Sequence, residues 1–216
     1  MKKYKAALFD LDGVLVDTAK YHYLAWKELA QRLGFEFTEQ DNERLKGVSR
    51  MASLEILLEV GGMQNHFSDE EKEKMAAEKN ARYVEYISKM DASEILDGAL
   101  DTLKKLRERG VKIALGSASK NSPIILKNVG LTEYFDEIVD GNSVSKAKPD
   151  PEVFTQGAER LGIAYEDCAV FEDSLAGLQA AKSVNMLAVG IGTRENLPVA
   201  DMIYPSLKEF EVEKFF

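Results

Sequence analysis

Apolar positions recur along the chain in two rhythms. Ala6, Ala7, Leu8 and Phe9 form an unbroken apolar run, the pattern of a short strand buried on both faces. From Tyr21 the spacing becomes helical (Tyr21, Leu24, Ala25, Leu29, Leu33), and Gly34 stops it. Helical spacing continues over 40–45, 49–60 and 69–87, and nothing between Ala19 and Lys89 reads as a strand. The chain returns through Met90 to Ile95. It then alternates: helix Gly98 to Arg109, strand Val111 to Leu115, helix Ser122 to Val129, strand Glu137 to Val139. A helix from Pro151 to Leu161, with proline in its first turn, precedes a strand from Cys168 to Phe171. Helix Ser174 to Ala181, strand Met186 to Val189 and a short strand near Met202 follow. This order predicts an α/β fold, a mostly parallel doubly wound sheet interrupted by an inserted all-helical cap. On this reading residues 1–18 and 91–216 form the core domain and residues 19–90 the cap.

Composition narrows the function classes. At 45% apolar and 30% charged residues, the 216-residue chain has an ordinary soluble composition. It has no apolar run of about 18 residues and no signal-peptide pattern, which predicts a cytoplasmic protein without a membrane partner. The single cysteine, Cys168, excludes an intrachain disulfide and a cysteine-based zinc site, and its apolar neighbours predict a buried, inert thiol. A net charge of -9 argues against nucleic acid as a partner. The same charge repels any anionic substrate, so such a ligand requires local Lys and Arg side chains and a cation. Monomer is the default oligomeric state.

The chemistry clusters where strands end. Asp10 and Asp12 follow the first strand, and ligands of open α/β sheets bind outside the carboxyl ends of the strands. Alternation along an extended chain puts both on one side, and Gly13 allows a tight turn beyond them. Leu115-Gly116-Ser117-Ala118-Ser119 joins a strand to a helix, where Ser is either a simple N-cap or part of an anion site. Lys146 and Lys148 lie in a loop and Glu172-Asp173-Ser174 at a strand end; left to themselves they read as solvated surface and helix caps. Gly190-Ile191-Gly192 lacks the third glycine of a dinucleotide fingerprint, and no Gly-Lys-Ser/Thr loop occurs.

Taken together, Asp10, Asp12, Gly13, Asp17 and Thr18 resemble the first motif of the haloacid dehalogenase superfamily. That resemblance implies three further motifs in fixed order: Ser117, then Lys148, which precedes Pro149, then Glu172-Asp173. It implies that Asp10 is a nucleophile forming an aspartyl phosphate and that Asp12 is the general acid and base. Lys148 and Ser117 then neutralise and hold the phosphoryl group. Mg²⁺ is implied as cofactor, with Asp10, Asp12 (through its main-chain carbonyl), Glu172 and Asp173 as its ligands.

Glu172, where many superfamily phosphatases carry glycine, is similar to the phosphoglucomutase branch of the superfamily, as are the stretches Tyr21 to Trp26, Leu45 to Arg50 and Ser117 to Asn121. The likeness fades near Pro205 to Phe216. It implies a sugar-phosphate substrate bound by His22, Trp26, Lys46, Gly47, Val48, Ser49 and Arg50 from the cap. Ala118, Ser119, Lys120 and Asn121 bind it from the core. The implied reaction interconverts β-glucose 1-phosphate and glucose 6-phosphate, with His22 reaching toward Asp12. His22 and Trp26 suit packed core positions equally well, and a sugar-phosphate phosphatase uses the same four motifs. A receiver-type phosphorylation switch also carries an aspartyl acceptor, but needs no helical insertion.

Overall fold

The protein was analysed as a computed structural model that describes residues 3–46 and 48–216. Its strands are β1 (Ala6–Phe9), β2 (Lys112–Gly116), β3 (Glu137–Val139), β4 (Cys168–Glu172), β5 (Leu187–Ile191) and β6 (Met202–Tyr204). Among the described residues they form one sheet in the order β3-β2-β1-β4-β5-β6, each neighbouring pair parallel. Phe9 pairs with Leu115 on one side and Phe171 on the other, so the carboxyl ends of the three central strands are level. Two strands begin one residue later than the apolar pattern suggests. The Val111 N–H bonds Leu106 O (3.0 Å) and the Met186 N–H bonds Ala181 O (3.1 Å), so both donors close the preceding helix instead of joining the ladder.

Alternation along the strands sorts the core into two layers. Ala7 and Phe9 face α5 (Ala99–Glu108) and α6 (Ser122–Val129), packing with Leu103, Leu106, Ile125 and Leu126. Ala6 and Leu8 face α7 (Glu152–Leu161) and α8 (Leu175–Ser183), packing with Val153, Phe154, Leu178 and Ala181. Cys168 is buried in this second layer. A short α9 (Val212–Phe215) follows Phe210, which packs edge-on to Phe171 with ring centres 4.8 Å apart. The sequence reading assigned no element to this terminal stretch.

Between β1 and β2 the chain builds α1 (Ala19–Leu33), α2 (Glu39–Glu43), α3 (Arg50–Val60) and α4 (Asp69–Ile87). Capping boxes start α2 at Thr38 and α4 at Ser68, and Gly34 ends α1 at φ 92°. These helices enclose their own apolar cluster around Trp26, Leu29, Phe37, Leu54, Leu57 and Leu58. Ala25, Tyr83, Ile87 and Met90 instead extend the main core into the base of the helical block. The two connections run side by side: Asp17 N donates to Glu94 O (2.9 Å) and Leu96 N to Leu15 O (3.0 Å). Lys20 bridges the same crossing, 2.6 Å from Glu94 and 3.4 Å from Asp17. No helix among the described residues is long and apolar enough to cross a membrane.

Candidate active site

The level ends of β1 and β4 bring three acids together. Asp10 leaves β1 with its N–H on Phe171 O (2.9 Å), and Glu172 and Asp173 leave β4 beside it. Carboxylate oxygens of Asp10, Glu172 and Asp173 lie within 4.8 Å of one another, a hard-oxygen donor set that fits a small divalent cation. Lys148 Nζ is fully buried among them, 2.6 Å from Asp10 Oδ1 and 2.9 Å from Glu172 Oε2, over the Phe154 ring at 4.8 Å. The other Glu172 oxygen accepts from Ser174 N (3.2 Å) and Ser174 Oγ (2.8 Å). Lys146, the competing candidate, is exposed and pairs with Asp150 at 3.4 Å.

Two glycines are required here. Gly13 has φ +78°, and a Cβ on it would lie 2.2 Å from Asp173 Oδ2. A Cβ on Gly177 would lie 1.8 Å from Glu172 Oε2.

Burial decides the electrostatics. It raises the Asp10 carboxyl well above the usual carboxylate range; Lys148 opposes this, while Glu172, Asp12 and Asp173 add to it. Burial likewise pushes Asp173 up to about 7, with Glu172 reinforcing the shift. For Lys148 burial opposes the charge, but Asp10 and Glu172 outweigh it and keep the ammonium protonated. Burial raises Asp12 too, against the Thr18 hydroxyl, which donates to Asp12 Oδ1. The three-acid donor set does not include the Asp12 carboxylate.

Above these groups lies a cavity of about 280 Å³ between sheet and helical block. Asp10, Asp12, Lys148 and Asp173 line its floor, and Ala118, Ser119, Lys120 and Asn121 one wall. From the helical block His22, Trp26, Lys46, Val48, Ser49 and Arg50 line it as well. Gly47 lies outside the described residues. Ser117 and Glu172 are fully buried and do not line the cavity; Ser117 Oγ accepts the Ser119 N–H at 3.1 Å, inside its own loop. At the cavity, Asn121 Nδ2 donates to Asn80 Oδ1 across the seam (2.9 Å), and Lys46 lies 3.5 Å from Asp173.

Sequence reasoning missed Asn42, Ser53, Lys79, Asn80, Val144, Ser145 and Ala147, all of which line the cavity. Lys79 had a readable signal, since it shares the inward face of α4 with Ala76, Tyr83 and Ile87 at helical spacing. Its Nζ is 3.0 Å from His22 Nδ1, 4.4 Å from the Trp26 ring centre and 4.9 Å from that of Tyr83. Burial, with Arg50 adding, lowers the Lys79 pKa to about 7. Burial also holds His22 well below its ordinary value, with Lys79 and Arg50 contributing, so this ring is neutral. His22 stacks on Tyr83 at 4.0 Å and meets Lys79, while Thr18 donates to Asp12; His22 and Asp12 line the same cavity. Trp26 is only 2% exposed and one ring face is taken by Lys79, so it shapes the lysine site as much as the cavity.

Comparison with known proteins agrees with this geometry. A family model described as haloacid dehalogenase-like hydrolase matches residues 4–185. The chain is 40% identical over 209 residues to the β-phosphoglucomutase of Bacillus subtilis, covering 97% of this chain and 92% of that protein. The crystal structure of β-phosphoglucomutase from Clostridium difficile superposes with a TM-score of 0.93 at 41% identity, covering 98% of this chain and 95% of that one. A phosphorylated carbohydrates phosphatase of Thermotoga maritima is 31% identical over 184 residues, covering 84% of this chain and 82% of that protein.

Proposed function

From a chain that belongs to the haloacid dehalogenase-like hydrolases, we propose that this protein is a β-phosphoglucomutase, converting β-glucose 1-phosphate to glucose 6-phosphate. The observation that carries the reading is one cavity lined by basic side chains from both the sheet side and the helical block. Lys148 lies beside Asp10 on the core side, and Arg50 and Lys79 line the same cavity from the helical block. A phosphatase needs only the first set. A mutase must also hold the phosphate that is not reacting.

In this mechanism an Asp10 carboxylate oxygen carries a phosphoryl group as an acyl phosphate. Asp12 takes the proton from the sugar hydroxyl as that oxygen attacks phosphorus and the bond to Asp10 breaks, giving a sugar bisphosphate. After the bisphosphate reorients, Asp10 recovers the other phosphoryl group and Asp12 returns a proton to the departing oxygen. Lys148 neutralises the floor throughout, and Ser117 supports the phosphate-binding turn from behind. Asp10 and Asp173, with the Asp12 main-chain carbonyl and Glu172 beside them, would hold Mg²⁺, which would supply further charge neutralisation to the transferring phosphoryl group. Arg50, Lys46, Ser49 and the amides of 118–121 hold the distal phosphate. Residues 19–90 act as a cap that closes on the core formed by 1–18 and 91–216. The reading carries with it a cytoplasmic, monomeric enzyme acting on a small sugar phosphate.

The test is product analysis. Pure protein with β-glucose 1-phosphate, Mg²⁺ and a trace of glucose 1,6-bisphosphate yields glucose 6-phosphate. Glucose and free phosphate instead would overturn the mutase reading in favour of a sugar-phosphate phosphatase.

A further inference from the structure

One wall of the cavity, Val144 to Ala147, belongs to no helix or strand, yet it is tied to α7 by a polar ladder. Glu152, Gln156 and Arg160 stand at i, i+4 and i+8, one face of that helix. Glu152 does not cap its own helix. Asp150 Oδ1 takes the Glu152 N–H at 3.1 Å, and the Glu152 carboxylate turns back to the preceding loop. There it accepts from Ser145 N (3.0 and 3.1 Å, one to each oxygen), Ser145 Oγ (3.0 Å) and Lys146 N (2.7 Å). Gln156 Nε2 donates to Glu152 Oε1 (3.1 Å) and to Ser143 O (3.2 Å). Arg160 donates to Gln156 Oε1 (3.0 Å) and to Ile138 O (3.2 Å), which ties the row to β3. α7 itself is fixed by its burial against the sheet, so the ladder joins an irregular segment to a rigid element.

We propose that Glu152, braced by Gln156 and Arg160, is a positioning residue that holds 144–147 as a preformed wall of the sugar-phosphate site. Lys148, two residues beyond the last clamped amide, has its own anchors in Asp10 and Glu172. The clamp therefore serves substrate affinity and not the reactivity of Asp10. Both amide donors of Ser145 and Lys146 end on one carboxylate, so a single truncation frees them together.

The experiment compares wild type with Glu152→Ala, Glu152→Gln and Gln156→Ala by three readouts. Amide hydrogen exchange at Ser145 and Lys146 accelerates about tenfold or more in Glu152→Ala, since charge-assisted hydrogen bonds of this kind protect them. KM for the sugar phosphate rises by about tenfold while kcat stays within about threefold, the pattern of lost binding to ground and transition state alike. Labelling of Asp10 by acetyl phosphate, which needs no sugar wall, is unchanged. Glu152→Gln, which keeps an acceptor but no charge, falls between wild type and Glu152→Ala, and Gln156→Ala changes in the same direction by less. Unchanged exchange at Ser145 and Lys146 overturns the clamp. Faster exchange with unchanged KM overturns its role in affinity, and an equal loss of Asp10 labelling shows that Glu152 acts through Lys148. The inference rests on the proposed sugar-phosphate activity. Failure of wild type to turn over the sugar phosphate would count against that activity alone, because the exchange and labelling readouts do not need it.

Discussion

The Thr18 hydroxyl donates to the Asp12 carboxylate and leaves α1, the helix that Thr18 precedes, without a side-chain cap. A threonine cap contributes about 1 kcal/mol to a helix, so the contact displaces a stabilising interaction. It also places the partner of Asp12, the proposed proton-transferring acid, at the crossing between sheet and helical block. Thr18 is the second residue after the Val16 bridge to Ile95, and it is fully buried.

Thr18→Val keeps the shape of the side chain and removes the donor. The Asp12 carboxylate loses its orientation, and kcat for sugar-phosphate turnover falls by about a hundredfold, the cost of a small misplacement of a catalytic group. Acetyl phosphate still labels Asp10, because that step needs no proton from a sugar. Thr18→Ser restores most of the rate. Steady-state rates beside phosphoenzyme labelling check this, and equal loss in both assays would count against an Asp12-specific role.

Metal affinity depends on pH through Asp173. Burial first, then Glu172, pushes this carboxyl up to about 7 in the metal-free protein. Below pH 7 a cation must displace a proton from it, and above pH 7 it need not. Calorimetric titration with Mg²⁺ at pH 6 and pH 8 shows tighter binding at pH 8, with proton release at the lower pH. The same affinity at both values, with no proton release, would contradict the raised carboxyl.

Strand ends carry information that the sequence alone makes visible. The unbroken apolar run of β1 locates Asp10 and Asp12 at its carboxyl end, and the later apolar run Cys168 to Phe171 does the same for Glu172 and Asp173. Gly13 was legible only as a turn glycine, since its Cβ clash arises with Asp173 across the fold. The cap was harder to read. Lys79 lies in a helix crowded with charge, and only its inward neighbours Ala76 and Tyr83 distinguish it from the solvated lysines around it. The Glu152 ladder joins a helix to a loop six and seven residues upstream, a fold-back that no helical or strand period encodes. The Phe210 cluster depends on long-range ring packing against Phe171 and Tyr204 for the same reason.

Lys79 sets stability against binding. Burial, with Arg50 adding to it, lowers its pKa to about 7, against 10.5 for the ordinary side chain. Between those values the unfolded chain holds a proton that the folded chain lacks, so this site's contribution to stability rises with pH across that window. Below pH 7 both states are protonated and the full cost of a buried ammonium remains. Lys79→Met, which keeps the length and removes the charge, therefore melts at a higher temperature than wild type at pH 6.5. Its advantage shrinks as pH rises toward 9, while its affinity for the sugar phosphate is lower throughout. Thermal melts across pH 6.5 to 9 read the difference, and a stabilisation independent of pH would show that Lys79 does not titrate in this window.

Replacement of Arg50 tests whether the Asp10 phosphoryl group is directed to sugar or to water. Arg50 begins α3, is half-buried and lines the cavity from the helical block. A planar guanidinium suits bidentate recognition of a phosphate that is held but not attacked. Replacing it by alanine removes charge-assisted hydrogen bonds, which lowers kcat/KM for β-glucose 1-phosphate by about a hundredfold. Phosphoenzyme made with acetyl phosphate forms as before, because the floor of the site is intact. Its fate changes: with the distal phosphate unheld, the sugar competes poorly, and a larger share of the Asp10 phosphoryl group goes to water. Counting glucose 6-phosphate and inorganic phosphate from one batch of labelled phosphoenzyme measures that partition. A variant whose turnover and partition match wild type would mean that nothing on the helical-block side of the cavity is being held, and the phosphatase reading would then fit better.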